Sequence, residues 1–225
     1  EDGVLSGAMA ANAIAGAQEH GVYAYMKHFA LNDQEGNRNC MVATWSNEQA
    51  IREIYLKPFE MSVKDADCHA VMSSFNYIGS RWAGGCKELL QNVLRGEWGF
   101  LGFVETDYFG VYGYMTADQA VRNGGDLMLC TTGNDYNNVT VLTNSSKQAM
   151  RTSAKNILYT VVNSNAMNGW ASTDTLKTIT PWWQTAIYAL IAVLAVLTIL
   201  CAWQLSKALK AKKSMVDTAP AADQK

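Results

Sequence analysis

One carboxylate and three basic side chains occupy positions where a folded α/β chain brings distant residues together. Asp107 closes the short apolar run Gly102-Phe103-Val104-Glu105-Thr106-Asp107-Tyr108. An acid at a strand tip adds nothing to the strand's stability, so it is solvated, paired or at work. Lys27 and His28 end an earlier apolar run, and Arg38 lies in the loop beyond it. Cations beside a carboxylate favour its ionised form, the state a nucleophile requires. Taken singly, each residue also has a plain reading. Asp107 is a helix cap or turn residue, Lys27 a solvated charge, His28 a satisfied core histidine and Arg38 a surface loop charge. The chemistry rests on convergence, and convergence requires parallel strands lying side by side.

The elements that would supply those strands alternate along residues 1 to about 170, helix-like then strand-like, the pattern of βα units. Residues 5–19 are Ala-rich and helix-prone, and Gly21 separates them from the apolar run 22–26. Ser46 with Gln49 reads as a capping box opening a helix over 47–64, with Ile51, Ile54, Tyr55, Phe59 and Val63 at helical spacing. A strand over 70–74, a helix over 87–97 and the strand ending at Asp107 follow. A short helix over 118–123, a Gly124-Gly125 turn, a strand over 126–130 and a helix over 146–163 complete the series. The last helix places Met150, Ala154, Ile157, Leu158 and Val161 on one face. Four strands with their helices make half of a (β/α)8 barrel, since a closed one takes about 250 residues, so either a smaller open α/β sheet is intended or the chain is a fragment, which the absent initiator methionine favours. Such barrels keep their chemistry where the C-terminal strand ends meet.

Composition narrows the function classes. The formal net charge of -2 over 225 residues offers no electrostatic footprint for nucleic acid. The 5 cysteines are irregularly spaced, with no CxxC and no histidine at ligand spacing, so we read neither a disulfide framework nor a zinc site. No metal and no other cofactor is implied.

The C-terminal quarter obeys a different physics. Residues 182–205 are 24 in number and carry no charge. As a helix they span about 36 Å at about 1.5 Å per residue, enough to cross a hydrocarbon core of about 30 Å. Pro181, Trp182 and Trp183 mark one end and Trp203 the other, as interfacial aromatics do. Lys207, Lys210, Lys212 and Lys213 follow the run, whereas residues 172–180 hold only Asp174 and Lys177. The positive-inside bias puts the C-terminus in the cytoplasm and residues 1–169 outside, in a single-pass protein of the cell membrane. Residues 170–181 then form a linker and 206–225 a basic, disordered tail. The opening Glu1-Asp2-Gly3 is charged and lacks a methionine, so the export signal of an outside domain is expected upstream.

With these residues in view, the chain resembles the family 3 glycoside hydrolases. Lys27-His28-Phe29-Ala30-Leu31-Asn32-Asp33-Gln34-Glu35 with Arg38 is similar to the family's sugar-binding stretch. Arg52-Glu53-Ile54-Tyr55-Leu56-Lys57-Pro58-Phe59-Glu60 resembles the helix after it. The strand and loop from Val71 to Gly79 resemble the family's next strand. Leu94-Arg95-Gly96-Glu97-Trp98-Gly99-Phe100 through Asp107 resembles the approach to its nucleophile. The likeness runs from residue 1 to about 169.

The resemblance implies α/β fold class: the second half of a (β/α)8 TIM barrel, followed by the single C-terminal transmembrane helix. It makes Asp107 the catalytic nucleophile of a retaining β-glucosidase-like hydrolase and assigns Lys27, His28 and Arg38 to hydroxyls of the first-subsite sugar. Met72, Phe75 and Tyr108 would line that subsite. Tyr108 stands where the family usually has Trp, and still offers a ring for a sugar face. Phe75 stands where the family usually has Tyr, so a hydroxyl near the nucleophile is missing. Retaining chemistry needs a second carboxyl about 5 to 5.5 Å from the first. Glu35, Glu97 and Glu105 are not matched to that role, and in this family the acid/base commonly comes from a separate α/β domain. The helix over 151–168 resembles the ending of members with reversed domain order, so that domain and the first barrel strands are expected upstream. The expected partners are a β-glucoside or related oligosaccharide, the bilayer through 182–205 and the upstream domain, with no nucleic acid. An alternative is a catalytically degenerate, membrane-tethered carbohydrate-binding module. A third reading is a structural membrane protein that reuses the barrel.

Overall fold

A computed structural model of the chain describes residues 2–109, 112–130, 137–167, 175 and 177–217, with side chains through 212. The chain divides into two units, Glu1–Trp170 and Ala171–Lys225. Parts of the expected linker (170–174 and 176) and tail (218–225) lie outside the described residues, as does the side chain of Lys213.

The first unit is built on a parallel sheet. Its strands are β1 (Tyr25–Phe29), β3 (Ala70–Ser73) and β6 (Phe103–Glu105), in the order β1-β3-β6. Register pairs Tyr25 with Ala70 and Met26 with Val71, then Val71 with Val104 and Met72 with Glu105. The first strand sits three residues later than the apolar run 22–26 suggests. Pairing with β3 sets its start, while Tyr23 is diverted to pack edge-on against His69 and to donate to the Asn163 carbonyl. The strand expected over 126–130 reduces to one bridge between Leu127 and Glu105. There the Thr106 hydroxyl, rather than a main-chain carbonyl, accepts from the Leu129 N–H, so the ladder is irregular.

A second, smaller sheet escapes sequence periodicity because its strands have two residues each. It comprises β2 (Ala43–Thr44), β4 (Tyr77–Ile78) and β5 (Arg81–Trp82). Asn76, fully buried, ties it to the main sheet by donating to the Ala30 carbonyl and to Thr44 Oγ1.

Helix α1 (Gly3–Glu19) starts where Asp2 accepts from the N–H groups of Val4 and Leu5. It ends before Gly21, whose φ of +70° is left-handed and suits glycine. The capping box read at Ser46 and Gln49 does not form. Asn47 caps α2 (Glu48–Ala50) by accepting from the Ala50 N–H, and Gln49 turns to Glu53 instead. The expected continuous helix is also interrupted. A π-helical turn, Ile51–Tyr55, precedes α3 (Lys57–Lys64), whose first turn holds Pro58, a residue with no N–H to give the turn before it. Another π-helical stretch, Glu88–Glu97, leads into β6 and buries Leu89, Leu90 and Leu94. Helix α4 (Ala117–Asn123) ends on left-handed Gly124.

Helix α5 (Asn144–Asn163) buries a different face from the apolar one expected. Ser146, Ser153 and Thr160 are buried, whereas Leu158 is exposed, as is Ala154. The reason is polar: the Ser153 hydroxyl donates to the Gly125 carbonyl beside the irregular fourth strand, and Thr160 to the His69 carbonyl, which also accepts from the Phe103 N–H.

The main core lies on one face of the sheet, where Met26, Val71 and Val104 meet Ile14, Val63, Leu90, Leu94 and Trp98. Phe29 joins it with its ring edge-on to Phe59 and Trp98. A second cluster of Phe75, Trp82, Phe109, Met115 and Ala120 underlies the C-terminal strand ends.

In the other unit, α6 (Trp182–Asp217) is long and apolar enough over Trp182–Lys212 to cross a membrane. It continues past the uncharged run because Lys, Ala and Leu favour helix and no Gly or Pro occurs before Pro220. The Lys207 ammonium lies 3.6 Å from the Trp203 ring centroid.

Candidate active site

The tips of three strands are joined main chain to main chain. The Ser74 N–H donates to the Phe29 carbonyl and the Asp107 N–H to the Ser73 carbonyl, each at 3.0 Å. That ladder extends the sheet beyond its regular strands and fixes the spacing between His28 on β1 and Asp107 after β6.

Asp107 is 8 % exposed, and its two oxygens have different partners. Oδ1 accepts from the Tyr108 N–H at 2.8 Å. Oδ2 lies 3.0 Å from Arg38 Nη1 and 3.4 Å from His28 Nε2. The charge-assisted bond to Arg38 is the strong contact, and the histidine stands at the outer limit of hydrogen bonding. Burial holds the His28 imidazole below its ordinary pKa, with Lys27 and Arg38 acting the same way and Asp107 opposing. The ring is therefore neutral near pH 7, and it serves Asp107 as a donor when the hydrogen sits on Nε2.

Arg38 is itself positioned from three sides. Its Nε meets Glu35 Oε2 at 2.9 Å, its Nη1 meets Asp107, and its guanidinium carbon lies 4.8 Å from the centroid of the Phe75 ring. Phe75 is 5 % exposed and packs edge-on against Tyr112, whose hydroxyl accepts from Asn39 at 3.3 Å. Tyr114 donates to the Phe75 carbonyl. Phe75 is thus a buttress beneath the cation more than a surface open to a ligand.

Of the residues predicted to form the site, the structure brings together His28, Arg38 and Asp107, with Phe75 beneath them. Tyr108 follows directly, 40 % exposed. Lys27 is exposed on β1 and makes no ion pair among the described residues. Met72 is half-buried in β3, opposite Glu105 in register and on the sheet face away from the main core. Glu35, read in sequence only as part of the matched stretch, pairs with Arg38, and Asn39, Tyr112 and Tyr114 surround the site without having been singled out. Their distance in sequence leaves no local signal except the proximity of Glu35 and Asn39 to Arg38. On β6, Glu105 is half-buried and hydrogen-bonded to Tyr25, and burial raises its carboxyl above the usual range.

A buried, strand-end carboxylate with a cation and an imidazole on one oxygen can bind a polyhydroxylated ring and present a nucleophile to it. Known proteins give this geometry a setting. The family description "Glycosyl hydrolase family 3 N terminal domain" matches residues 1–158. A probable β-glucosidase I of Aspergillus niger is 42 % identical over 127 residues, 56 % of this chain and 15 % of that protein. β-Glucosidase B of Emericella nidulans is 45 % identical over the same length, again 15 % of its own chain. The chain therefore spans about a seventh of these relatives. Among solved structures, β-glucosidase 3B of Thermotoga neapolitana has a TM-score of 0.65 and 34 % identity, over 76 % of this chain and 25 % of that one. The β-glucosidase of Kluyveromyces marxianus in complex with glucose has a TM-score of 0.64 and 29 % identity, over 79 % and 22 %. These neighbours identify the parallel sheet and its helices as part of a TIM-barrel-type domain. Matched by the family description over most of its length, the chain belongs to glycosyl hydrolase family 3.

Proposed function

We propose that the chain supplies the nucleophile and first sugar subsite of a retaining β-glucosidase-like hydrolase. Asp107 attacks the anomeric carbon, forming a glycosyl-enzyme that water then hydrolyses. Arg38 and His28 hold Asp107 and hydrogen-bond the sugar hydroxyls, with Lys27 reaching in from the strand edge. Met72 and Tyr108 line the ring. The observation that carries this reading is the convergence of Arg38 and His28 on one oxygen of a buried strand-end Asp107. The glucose bound in a structural neighbour supports it.

The acid/base is proposed to come from outside these residues. Glu35 is engaged by Arg38 and Glu105 by Tyr25, which leaves neither poised to protonate a leaving oxygen. The 225-residue chain alone should bind sugar without turnover, and release of the aryl group from an aryl β-glucoside by this chain would overturn that part. We further propose residues 1–169 as the barrel portion, 170–181 as linker, 182–205 as a transmembrane span with the barrel portion outside, and 206–225 as a cytoplasmic tail. The apolar α6 and the lysines beyond it support this order.

A 2-fluoro-glucoside tests the chemistry in the full-length protein. A covalent adduct on the peptide bearing Asp107, lost in Asp107→Asn, is expected. Phe75, where the family usually has Tyr, favours a second reading as a degenerate carbohydrate-binding module. Sugar binding without an adduct would select it.

A further inference from the structure

Trp45 follows β2 and is 84 % exposed, the highest value for any large apolar side chain among the described residues. An indole left in water forgoes one of the larger hydrophobic gains open to any side chain, and one that borders a groove offers a ligand an apolar stacking face. Trp45 borders a groove of about 450 Å³ whose wall also includes Asp33, Gln34, Thr44, Ser46 and Tyr55. That volume lies within the ordinary range for small-ligand sites.

The wall chemistry is selective. It has no Lys, Arg or His, so an anionic ligand finds no countercharge. It has a single carboxylate, and among the described residues no cluster able to hold a metal ion occurs. What remains is two aromatic rings and the apolar Leu31 and Ala43 with an amide, three hydroxyls and an acceptor carboxylate, a set that suits a neutral polyhydroxylated ring: C–H faces on the indole, hydroxyls to the polar groups. Parts of the wall are already fixed. Thr44 donates to the Tyr77 carbonyl at 2.8 Å, and the Gln34 amide nitrogen to the Gly36 carbonyl at 2.6 Å. The groove belongs to the segment that carries Arg38, since Asp33 and Gln34 precede the Glu35 that pairs with it.

We propose that this groove is a second carbohydrate site, in which Trp45 stacks a hexose unit of a β-linked gluco-oligosaccharide beside, but separate from, Asp107. The choice of glycan rests on the sugar chemistry proposed for Asp107; the site itself rests on the groove.

The test is native electrophoresis of the full chain, in a zwitterionic detergent free of sugar, through gels containing soluble β-glucan. Wild type is expected to be retarded and Asp107→Asn to behave like it. Trp45→Ala should weaken retention by on the order of fivefold to tenfold, the loss of one aromatic stacking contact, with an unchanged melting temperature. Trp45→Phe, which keeps a ring, should retain part of it. Loss of retention in Asp107→Asn as complete as in Trp45→Ala would overturn a separate site, since the glycan would then be held through Asp107. An unretarded wild type, or Trp45→Ala retarded as strongly as wild type, overturns the proposal. Retention without any 2-fluoro-glucoside adduct would refute the nucleophile role of Asp107 and leave this site standing.

Discussion

Arg38 makes three contacts of two kinds, ion pairs to Asp107 and Glu35 and a face-on approach to Phe75. Lysine carries the same charge but neither the planar fork nor the stacking face. Arg38→Lys is therefore expected to destabilise the first unit by about 1–3 kcal/mol, because Asp107 is left buried with a poorer partner. Thermal unfolding should report that loss as a fall of roughly 2–4 °C per kcal/mol. His28 yields a pH prediction. Its folded pKa lies below the unfolded value of about 6.5, so the unfolded chain takes up the proton first. The histidine's contribution is complete above that pH and is lost as pH falls below it. Denaturant midpoints should drop on acidification from pH 7 more steeply in wild type than in His28→Gln. Equal slopes would contradict the buried, neutral imidazole. The convergence of His28 and Asp107 was legible in sequence because each stands at the end of an apolar run, and adjacent parallel strands bring such ends together, while Arg38 comes in from the loop after the first run. Phe75's place beneath Arg38 was not, since no sequence rule brings residues 38 and 75 into contact.

The sheet stands on two devices at the end opposite Asp107. Asp126 accepts from Arg95 at 2.6 Å, from the Val104 N–H at 2.8 Å and from Asn156 at 3.0 Å, joining the π-helical stretch, β6 and α5. Arg95 also donates to the carbonyls of Gly102 and Gly124. Removing one partner of a buried pair leaves a stranded charge, so Asp126→Ala should lower stability by about 3–5 kcal/mol in chemical denaturation. At Gly102 the constraint is space. A Cβ there would lie 2.1 Å from the His69 carbonyl oxygen, main chain that cannot step aside. Gly102→Ala should push β6 off β3, at a cost of about 1–3 kcal/mol or more, and loosen amide protection at Phe103, which donates to that same carbonyl. The existence and order of these elements could be read from hydrophobic period and glycine placement. Their registers could not: β1 is set by pairing with β3, and α5 turns hydroxyls inward onto the Gly125 and His69 carbonyls. Both are facts of the neighbour, not of the segment.

At the scale of the molecule, α6 is long and apolar enough to cross a membrane, the span proposed above. If α6 spans a bilayer, Leu194→Arg near the middle of its uncharged run should weaken insertion by about 2.5–3.5 kcal/mol, read as a shift from membrane-integrated to translocated product in a reporter-glycosylation assay. An unchanged product ratio would count against the span. The main sheet, among the described residues, pairs β1 with β3 alone, so in the 225-residue chain taken by itself one row of β1 main-chain groups has no strand partner. Lys27 lies on that strand, exposed. Whatever it gives a sugar, an edge lysine also repels a second copy arriving strand to strand. Its consequence is colloidal. For the 225-residue chain by itself, Lys27→Val should leave the melting temperature nearly unchanged while making light scattering climb with protein concentration, so that one charge sets how crowded this chain can become before it self-associates.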